Sequence, residues 1–175
     1  MDKDLRLIQP HSDFLESYYQ ACKETWGFVH NDYIIHNPDF YEQWRENIFE
    51  EYQKQKAGIG LPDGFVPSAT FWVVTGKEYV GTVNIRLRLT EQLLDYGGNI
   101  GIVIRKSLRR KGYAYKALNL AVEVAREMKI FPIVMTCIDD NKSSLKLLSS
   151  LSYERTETDF AFADGVFCKV HRFFF

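Results

Sequence analysis

The sequence predicts an α+β domain in which helices flank a mixed, mostly antiparallel sheet. Two observations favour this fold. In the second half of the chain, apolar strand-like runs alternate with helical patterns, and such alternation implies some parallel pairing. Hairpin signals on either side, at Gly76-Lys77 and Asp164-Gly165, imply antiparallel pairs. The chain has 175 residues, of which 46% are hydrophobic, so residues 1–175 suit one domain that buries a substantial core.

The first half of the chain predicts a short strand, two helices and a hairpin. An apolar run at residues 5–8 indicates the strand, and Ser12 or Asp13 can cap a first helix that runs towards Trp26. A second helix, at residues 40–56, carries aromatic side chains at spacings of three and four. Packing on a sheet would explain them, and so would a lid over a substrate cleft. The aromatic residues in question are Tyr41, Trp44 and Tyr52.

The second strand of the hairpin, at residues 79–89, alternates between apolar and polar side chains. The polar side chains, which share one face of the strand, are Thr82, Asn84, Arg86 and Arg88. This face is either solvated or the wall of a cleft. In the second case, Arg86 and Arg88 would bind a carboxylate or phosphate of the substrate.

The second half of the chain predicts four strands and two helices. In chain order these are a strand at 99–105, a helix at 113–129, a strand at 132–138, a helix capped by Asp140 or Asn141, and two terminal strands. Cys137 lies in a buried strand, so we expect it to be a core residue and not an acyl carrier. The apolar C-terminal strand covers either a core edge or the seam of a homodimer.

Composition excludes several classes of partner. The formal net charge is -1, which gives no reason to expect binding to nucleic acid or to an anionic membrane. The three cysteines and four histidines show no metal-ligand spacing, so we expect no disulfide framework and no metal. The charged N-terminus has no apolar signal core, and no apolar run approaches the roughly 20 residues that span a bilayer. We therefore expect a soluble cytoplasmic protein.

The segment "RRKGYA", residues 109–114, joins a strand to a long helix. A helix that begins there directs free N–H groups and the positive end of its dipole out of the sheet. Gly112 lets a ligand approach the backbone, and the three preceding cations add positive charge. Together these features indicate a site for a phosphate or pyrophosphate. The alternative is a solvated basic loop in which the glycine only eases a turn.

Residues 109–114 match the coenzyme-A signature [RQ]xxGx[GA], and the sequence resembles the GNAT family of N-acetyltransferases. The segment "DNKSSLKLLSSLSYE" resembles the second signature of the family, with Asn141, Ser144 and Leu151-Ser152-Tyr153 at the matched positions. The stretch "IRLRLTE…YGGNIG" is similar to a bacterial subgroup of predicted acetyltransferases. The resemblance implies a GNAT-like fold, whose sheet contains a splayed parallel pair of strands. It also implies transfer of an acetyl group from acetyl-CoA to a primary amine of a small molecule or peptide.

The resemblance assigns coenzyme-binding roles by position. The backbone of Ile102, Val103 and Ile104 would pair with the pantetheine arm, and the N–H of Ile104 would face the thioester oxygen. Asn141 would reach the pantetheine or cap a helix, or do both. The remaining coenzyme positions are Arg109, Arg110, Lys111, Gly112, Tyr113, Ala114 and Ser144.

Two departures from the family pattern concern catalysis. The position of the usual acidic tyrosine is Leu148, which has no proton to donate. The position of the usual glutamate base is Asn99, which is not a base at neutral pH. We therefore predict Glu91, in the connector before the strand, as the base, with Asp95, Tyr96 or a water chain as alternatives. A protein that binds acyl-CoA without turnover, as a sensor or scaffold, is the alternative function.

Overall fold

The computed structural model describes residues 4–26, 35–163 and 166–175. Its order of elements follows the predicted one, with a short extra helix before the fourth strand. The elements are β1 (Arg6–Ile8), α1 (Leu15–Thr25), α2 (Tyr41–Trp44), α3 (Ile48–Ala57), β2 (Ser68–Thr75), β3 (Glu78–Arg86), α4 (Glu91–Asp95), β4 (Ile100–Ile104), α5 (Tyr113–Glu127), β5 (Val134–Ile138), α6 (Lys142–Leu148), β6 (Arg155–Ala163) and β7 (Val166–Phe174).

The strands form two antiparallel sheets, which confirms the predicted α+β class. The first sheet has the order β1-β2-β3-β4, and the second has the order β5-β7-β6. Strands β4 and β5 meet where both begin, because the N–H of Asn99 donates to the carbonyl of Val134 at 2.6 Å. In the described part of the chain they form no ladder beyond this point. The predicted splayed pair is therefore a pair of strands that are joined only at their starts.

Two hydrophobic cores cover opposite faces of the first sheet. Val83 and Ile85 of β3 point to the face under α5, where Leu118 of α5 is also buried. Trp72 of β2 points to the other face, where Tyr18 of α1 stacks on it with 4.6 Å between ring centroids. The alternation along each strand therefore separates an aliphatic core from an aromatic one.

The predicted second helix is interrupted. It forms α2 and α3, separated by residues 45–47. The N–H of Asn47 bonds the carbonyl of Trp44 at 3.2 Å, which tightens the turn, and its carbonyl then accepts from Glu51 in the next helix. Asparagine favours helix ends over helix interiors, which explains the break. Trp44 and Tyr52 are each 7% exposed, so these rings pack in the core and do not form an open lid.

Strand β3 ends at Arg86, earlier than predicted, because the N–H of Leu87 bonds the carbonyl of Pro67 outside the ladder. Its polar face is not solvated. Thr82 is fully buried and its hydroxyl lies 2.6 Å from that of Tyr79, while Asn84 is 6% exposed. The interpretation of this face as a solvated surface is therefore wrong for these residues.

The termini of the elements also differ from expectation in detail. His11, and not Ser12 or Asp13, caps the turn before α1 by accepting from the N–H of Asp13. The C-terminal strand β7 lies between β5 and β6, and its last aromatic side chains are buried in this single chain. Core coverage therefore accounts for its apolar character. The predicted turn at Asp164-Gly165 lies outside the described residues.

Stability is predicted to require a glycine at the junction of the two sheets. Gly98 has φ +61, and a Cβ there would lie 2.5 Å from the carbonyl oxygen of Val134. We expect Gly98→Ala to lower the free energy of unfolding by about 3 kcal/mol, from backbone strain and overpacking together. Chemical denaturation measures the change.

Gly60→Ala is the matched control for this measurement. Gly60 has φ +68, but a Cβ there would meet nothing within 4 Å. The control should lose only about 1 kcal/mol, the cost of the left-handed conformation. Equal losses in the two variants would show that the junction is not closely packed.

Candidate active site

The outer edge of β4 directs backbone groups into the space beside β5. The N–H of Arg86 bonds the carbonyl of Asn99 at 2.7 Å, and the N–H of Arg105 bonds the carbonyl of Val80 at 2.9 Å. These bonds fix which residues of β4 face β3, because the direction alternates along an antiparallel ladder. Ile102 and Ile104 therefore point their N–H and C=O groups away from β3. The carbonyl of Ile104 accepts from Arg109 Nε at 3.0 Å, in agreement with this direction.

The N-terminus of α5 is open to an anion. Gly112 caps the helix with φ +80, no side chain caps it, and its first turn holds no acidic residue. A Cβ on Gly112 would meet nothing within 4 Å, so the backbone is accessible from outside. The first N–H groups of a helix and its dipole attract negative charge. Exposed Arg110 and Lys111 precede this turn and add to the attraction.

Arg109 connects this turn to the end of β4. Its Nε bond to the Ile104 carbonyl spans the residues between the strand and the helix. Arg110 takes the left-handed conformation, with φ 64, which a side chain rarely adopts outside tight turns. The basic residues of the motif therefore have different roles: Arg109 fixes the loop, whereas Arg110 and Lys111 stay exposed at the site.

Glu24 in α1 anchors the same loop from the other side. Its carboxylate accepts from Arg105 Nη2 at 2.5 Å and from the hydroxyl of Ser107 at 2.7 Å. The hydrogen bond from Arg105, aided by that from Ser107, lowers the pKa of Glu24 to about 2. Sequence reasoning missed Glu24, because it lies far from the motif along the chain and belongs to no local pattern.

The second predicted motif forms the start of α6. The side-chain oxygen of Asn141 accepts from the N–H of Ser144 at 3.1 Å, which confirms the predicted cap. This bond leaves the amide nitrogen of Asn141 for another partner. Cys137 is 4% exposed in the core, and burial raises the pKa of its thiol to about 11. Such a thiol is a poor nucleophile, as expected for a structural cysteine.

Asn99 is a bridge between the two sheets. Its side-chain oxygen accepts from the N–H of Val134 at 2.8 Å, and its amide nitrogen donates to the carbonyl of Arg86 at 3.2 Å. Its backbone N–H and C=O bond the same two residues. The position at which the family resemblance implied a base thus holds a side chain committed to structure. Leu148, at the position of the usual acid, is 5% exposed in the core.

The two arginines predicted to bind substrate are separated. Arg86 Nη1 donates to the carbonyls of Gly97 and Gly98 at 3.0 and 2.9 Å, so the guanidinium holds the loop before β4. Burial lowers the pKa of Arg86 from its usual value. Arg88 lies beyond the end of β3 and is exposed. Arg88 is therefore accessible to a ligand, whereas Arg86 uses one of its guanidinium nitrogens to hold the loop before β4.

The predicted base, Glu91, is the first residue of α4 and is exposed. Thr90 caps this helix by accepting from the N–H of Leu93 at 3.2 Å. The helix lies in the connector that enters β4, and its last residue, Asp95, bonds Arg172 of β7 at 3.1 Å. The structure thus places Glu91 on an element that is attached to both sheets.

The described residues contain no group of three or more His, Cys, Asp or Glu side chains arranged to hold a metal ion. No helix among them is long and apolar enough to cross a membrane.

A strand edge with outward amides, followed by a helix that begins at a glycine and has no side-chain cap, is the arrangement expected of a GNAT-type acyltransferase. The model of the acetyltransferase (GNAT) domain matches residues 4–154, which is most of the chain. The chain therefore belongs to the GNAT acetyltransferase family, and the protein is an N-acetyltransferase. No curated protein sequence matches the chain.

Solved structures with the same fold include three acetyltransferases with bound coenzyme. RimL, a ribosomal-protein α-N-acetyltransferase in complex with coenzyme A, has 15% identity and a TM-score of 0.62, over 98% of this chain and 93% of that chain. The microcin C7 self-immunity acetyltransferase MccE, with acetyl-CoA and AMP, has 15% identity and a TM-score of 0.62, over 98% and 92%. Spermidine N-acetyltransferase from Vibrio cholerae, with coenzyme A and spermine, has 14% identity and a TM-score of 0.57, over 99% and 96%.

The anchor at Glu24 predicts a pH dependence of stability. The lowered pKa of Glu24 means that the folded state favours the carboxylate, so its contribution is complete above the ordinary pKa of 4.5 and is lost as the pH falls towards about 2. We expect Glu24→Gln to lower the free energy of unfolding at neutral pH by about 1–2 kcal/mol, since water screens the pair in part.

Denaturation at a series of pH values tests this expectation. The difference between the wild type and Glu24→Gln should shrink steadily between pH 4.5 and about 2. Glu127→Gln, at an exposed site on α5, is the control and should change nothing. A difference that stayed constant over this range would exclude Glu24 as the titrating group.

Proposed function

We propose that this protein transfers the acetyl group of acetyl-CoA to the primary amine of a small molecule or peptide by direct attack. The observation that carries the proposal is the continuity of the site. The outward amides of β4 lead directly into the open N-terminus of α5. An extended arm that ends in a pyrophosphate matches this arrangement of donors and positive charge.

Each part of the coenzyme has residues suited to it. The N–H groups of Gly112, Tyr113 and Ala114, with the cationic side chains before them, would bind the pyrophosphate. The outward backbone groups of Ile102 and Ile104 would pair with the pantetheine arm, whereas those of Val103 face Thr82 of β3 and are not available for it. The amide nitrogen of Asn141 would add a further bond. The N–H of Ile104 would donate to the thioester oxygen as negative charge develops on it.

The chemistry requires a neutral amine and a place for its proton. The amine nitrogen bonds to the acetyl carbon, the carbon–sulfur bond breaks, and the coenzyme leaves as the thiolate. The proton that the amine loses passes to a base or a water chain. Because Asn99 and Leu148 are committed to the fold, Glu91 is the carboxylate that we propose for this role.

The acceptor that we propose is a primary amine of a small molecule or peptide. The solved relatives named above include an enzyme of protein α-amines and one of a polyamine, so both peptides and small amines fit the family. Exposed Arg88 would favour an acceptor with a carboxylate or phosphate, and the donors of Arg86 other than Nη1 would add to this preference. A cytoplasmic location and assembly into a homodimer stay predictions from the sequence.

A second candidate function is binding of acyl-CoA without turnover. The observation that favours it is the structural commitment of both usual catalytic positions, Asn99 and Leu148. Amine-dependent release of free thiol separates the two functions, because a sensor binds the coenzyme and releases none.

Gly112→Asp is expected to abolish coenzyme binding. The new carboxylate would stand at the helix N-terminus, where the pyrophosphate binds, and repel it. Calorimetric titration with acetyl-CoA should show at least a ~100-fold weaker affinity, about 3 kcal/mol. Thiol release with a panel of primary amines should fall in parallel.

Gly64→Asp is the control for this variant. Gly64 has φ +83, close to the +80 of Gly112, and neither site crowds an added Cβ. The two variants therefore share the backbone strain and the charge change, and differ only in location. A folded Gly112→Asp protein with unchanged acetyl-CoA affinity would refute the coenzyme site.

Glu91→Gln tests the proposed base. We expect kcat to fall about 100-fold or more with little change in acetyl-CoA affinity, because general-base catalysis contributes factors of that order. The loss should be smallest at high pH, where the amine is already neutral. Glu127→Gln serves again as the control, and turnover that is unchanged at every pH would remove Glu91 from the mechanism.

A further inference from the structure

The face of the first sheet opposite α5 carries a buried polar strip. Ser68 and Thr70 of β2 and Asn84 of β3 are 5%, 6% and 6% exposed. They share this face with Trp72 and Thr82. The aromatic core under α1 includes Trp72 but not the polar strip. Buried polar groups cost stability unless they are paired, so a strip of them in a sheet otherwise covered by two apolar cores calls for an explanation.

Hydrogen bonds fix the orientation of Asn84 within this strip. Its Nδ2 donates to the hydroxyls of Ser68 and Thr70, each at 3.1 Å. Thr70 in turn donates its hydroxyl proton to Gln55 Oε1 of α3 at 3.4 Å, so it can only accept from Asn84. The amide nitrogen therefore faces β2.

The side-chain oxygen of Asn84 must then face the other way, towards β4. Its neighbour there in the ladder is Gly101, which has no side chain. Among the described residues, the hydrogen bonds of the Asn84 side chain are the two that its nitrogen donates to β2. The oxygen of Asn84 is therefore a hydrogen-bond acceptor in a fixed position. Its ladder partner, Gly101, directly precedes Ile102, whose outward backbone groups belong to the proposed coenzyme site.

A groove beside α3 adjoins the same strip. It has a volume of about 630 Å³ and is lined in part by His36, Glu51, Tyr52, Gln55 and Leu61. Gln55 links the groove to Asn84 through Thr70, over two hydrogen bonds of 3.4 and 3.1 Å. A cavity of this size suits a small molecule.

The groove is lined by one carboxylate, Glu51, and by one ammonium group, Lys54. The carboxylate of Glu51 is half exposed and lies 3.9 Å from the ring of His36. Lys54, the nearby cation, is paired with Glu50 at 2.6 Å. The ring of His36, which packs edge-to-face on the mostly buried Tyr52 at 5.8 Å, adds a partly exposed edge that an aliphatic chain can contact.

We propose that Asn84 and this groove form the acceptor site, and that the acceptor is a small-molecule primary amine. The amine nitrogen donates to Asn84 Oδ1 and is thereby held beside Gly101, while the rest of the molecule lies in the groove near Glu51. This rests on the proposed function, and it goes further by selecting a small amine over a peptide and by naming the side chain that orients the amine.

The first test is made on the wild-type protein, so it does not depend on a variant that folds. The side-chain amide signals of the ¹⁵N-labelled protein are followed by NMR while n-butylammonium chloride is added, with and without saturating coenzyme A. The Asn84 signal is assigned by its loss in Asn84→Leu. We expect it to shift to saturation, whereas the amide of Asn119, which is bonded to Tyr115 on α5, stays fixed. An Asn84 signal that does not move, or that moves as much as Asn119, overturns the proposal.

The second test measures affinity. Loss of a hydrogen bond to a charged donor should weaken n-butylammonium binding about tenfold in Asn84→Leu, read from the Gln55 amide signal. Asn119→Leu is the control and should bind as the wild type does. Affinity for coenzyme A should stay within about twofold in both variants, which separates a role in acceptor binding from a general loss of structure. Unchanged n-butylammonium affinity in Asn84→Leu overturns the proposal.

The outcomes also separate this inference from the proposed function. If coenzyme A binds and amines release thiol, but Asn84 does not respond, the acceptor site is wrong and the enzyme stands. If Asn84 responds but no coenzyme binds, the amine site stands and the proposed coenzyme site fails. A basic hexapeptide that shifts Asn84 at lower concentration than n-butylammonium would overturn the choice of a small amine.

Discussion

The junction at Asn99 and Val134 is the constraint on which the rest of the structure depends. The backbone and side-chain groups of Asn99 bond both Arg86 and Val134, and so join the ends of the two sheets. Gly98 makes the join possible, since any Cβ there would collide with the partner strand. Arg86 then holds the two carbonyls before the junction. The strands are thus tied at one end and free to diverge at the other.

The divergence of β4 from β5 explains why a ligand belongs in the site. A strand edge that faces no partner leaves its amides and carbonyls unpaired, and a protein of this size normally covers such an edge. Here the edge continues into a helix start with no acidic residue in its first turn. Two anchors hold that loop in place without blocking it: Arg109 bonds Ile104, and Glu24 bonds Arg105. These bonds fix the loop, and no side chain caps the start of α5 that follows it.

Local patterns in the sequence predicted the parts of this arrangement that depend on neighbours along the chain. Gly112 at a strand–helix joint and Asn141 three residues before Ser144 have the roles expected of them in the helix starts. The sequence could not reveal contacts between distant segments, such as Glu24 with Arg105. It also could not show that the side chain of Arg86 would be used by a loop, because alternation along a strand gives the face of a residue but not its partner.

The two faces of the first sheet differ in composition, because the face opposite α5 carries a polar row beside its aromatic core. Under α5 the strands present aliphatic side chains, which pack on the helix and account for burial that the fold requires. On the other face the row of Ser68, Thr70 and Asn84 replaces apolar packing with hydrogen bonds that at best offset the cost of burying them. A fold that needed only stability would gain by making this row apolar. The polar row lies beside Gly101 of β4, next to the first outward amide of that strand. The proposed role in holding an amine at a fixed position explains why polar side chains stand there.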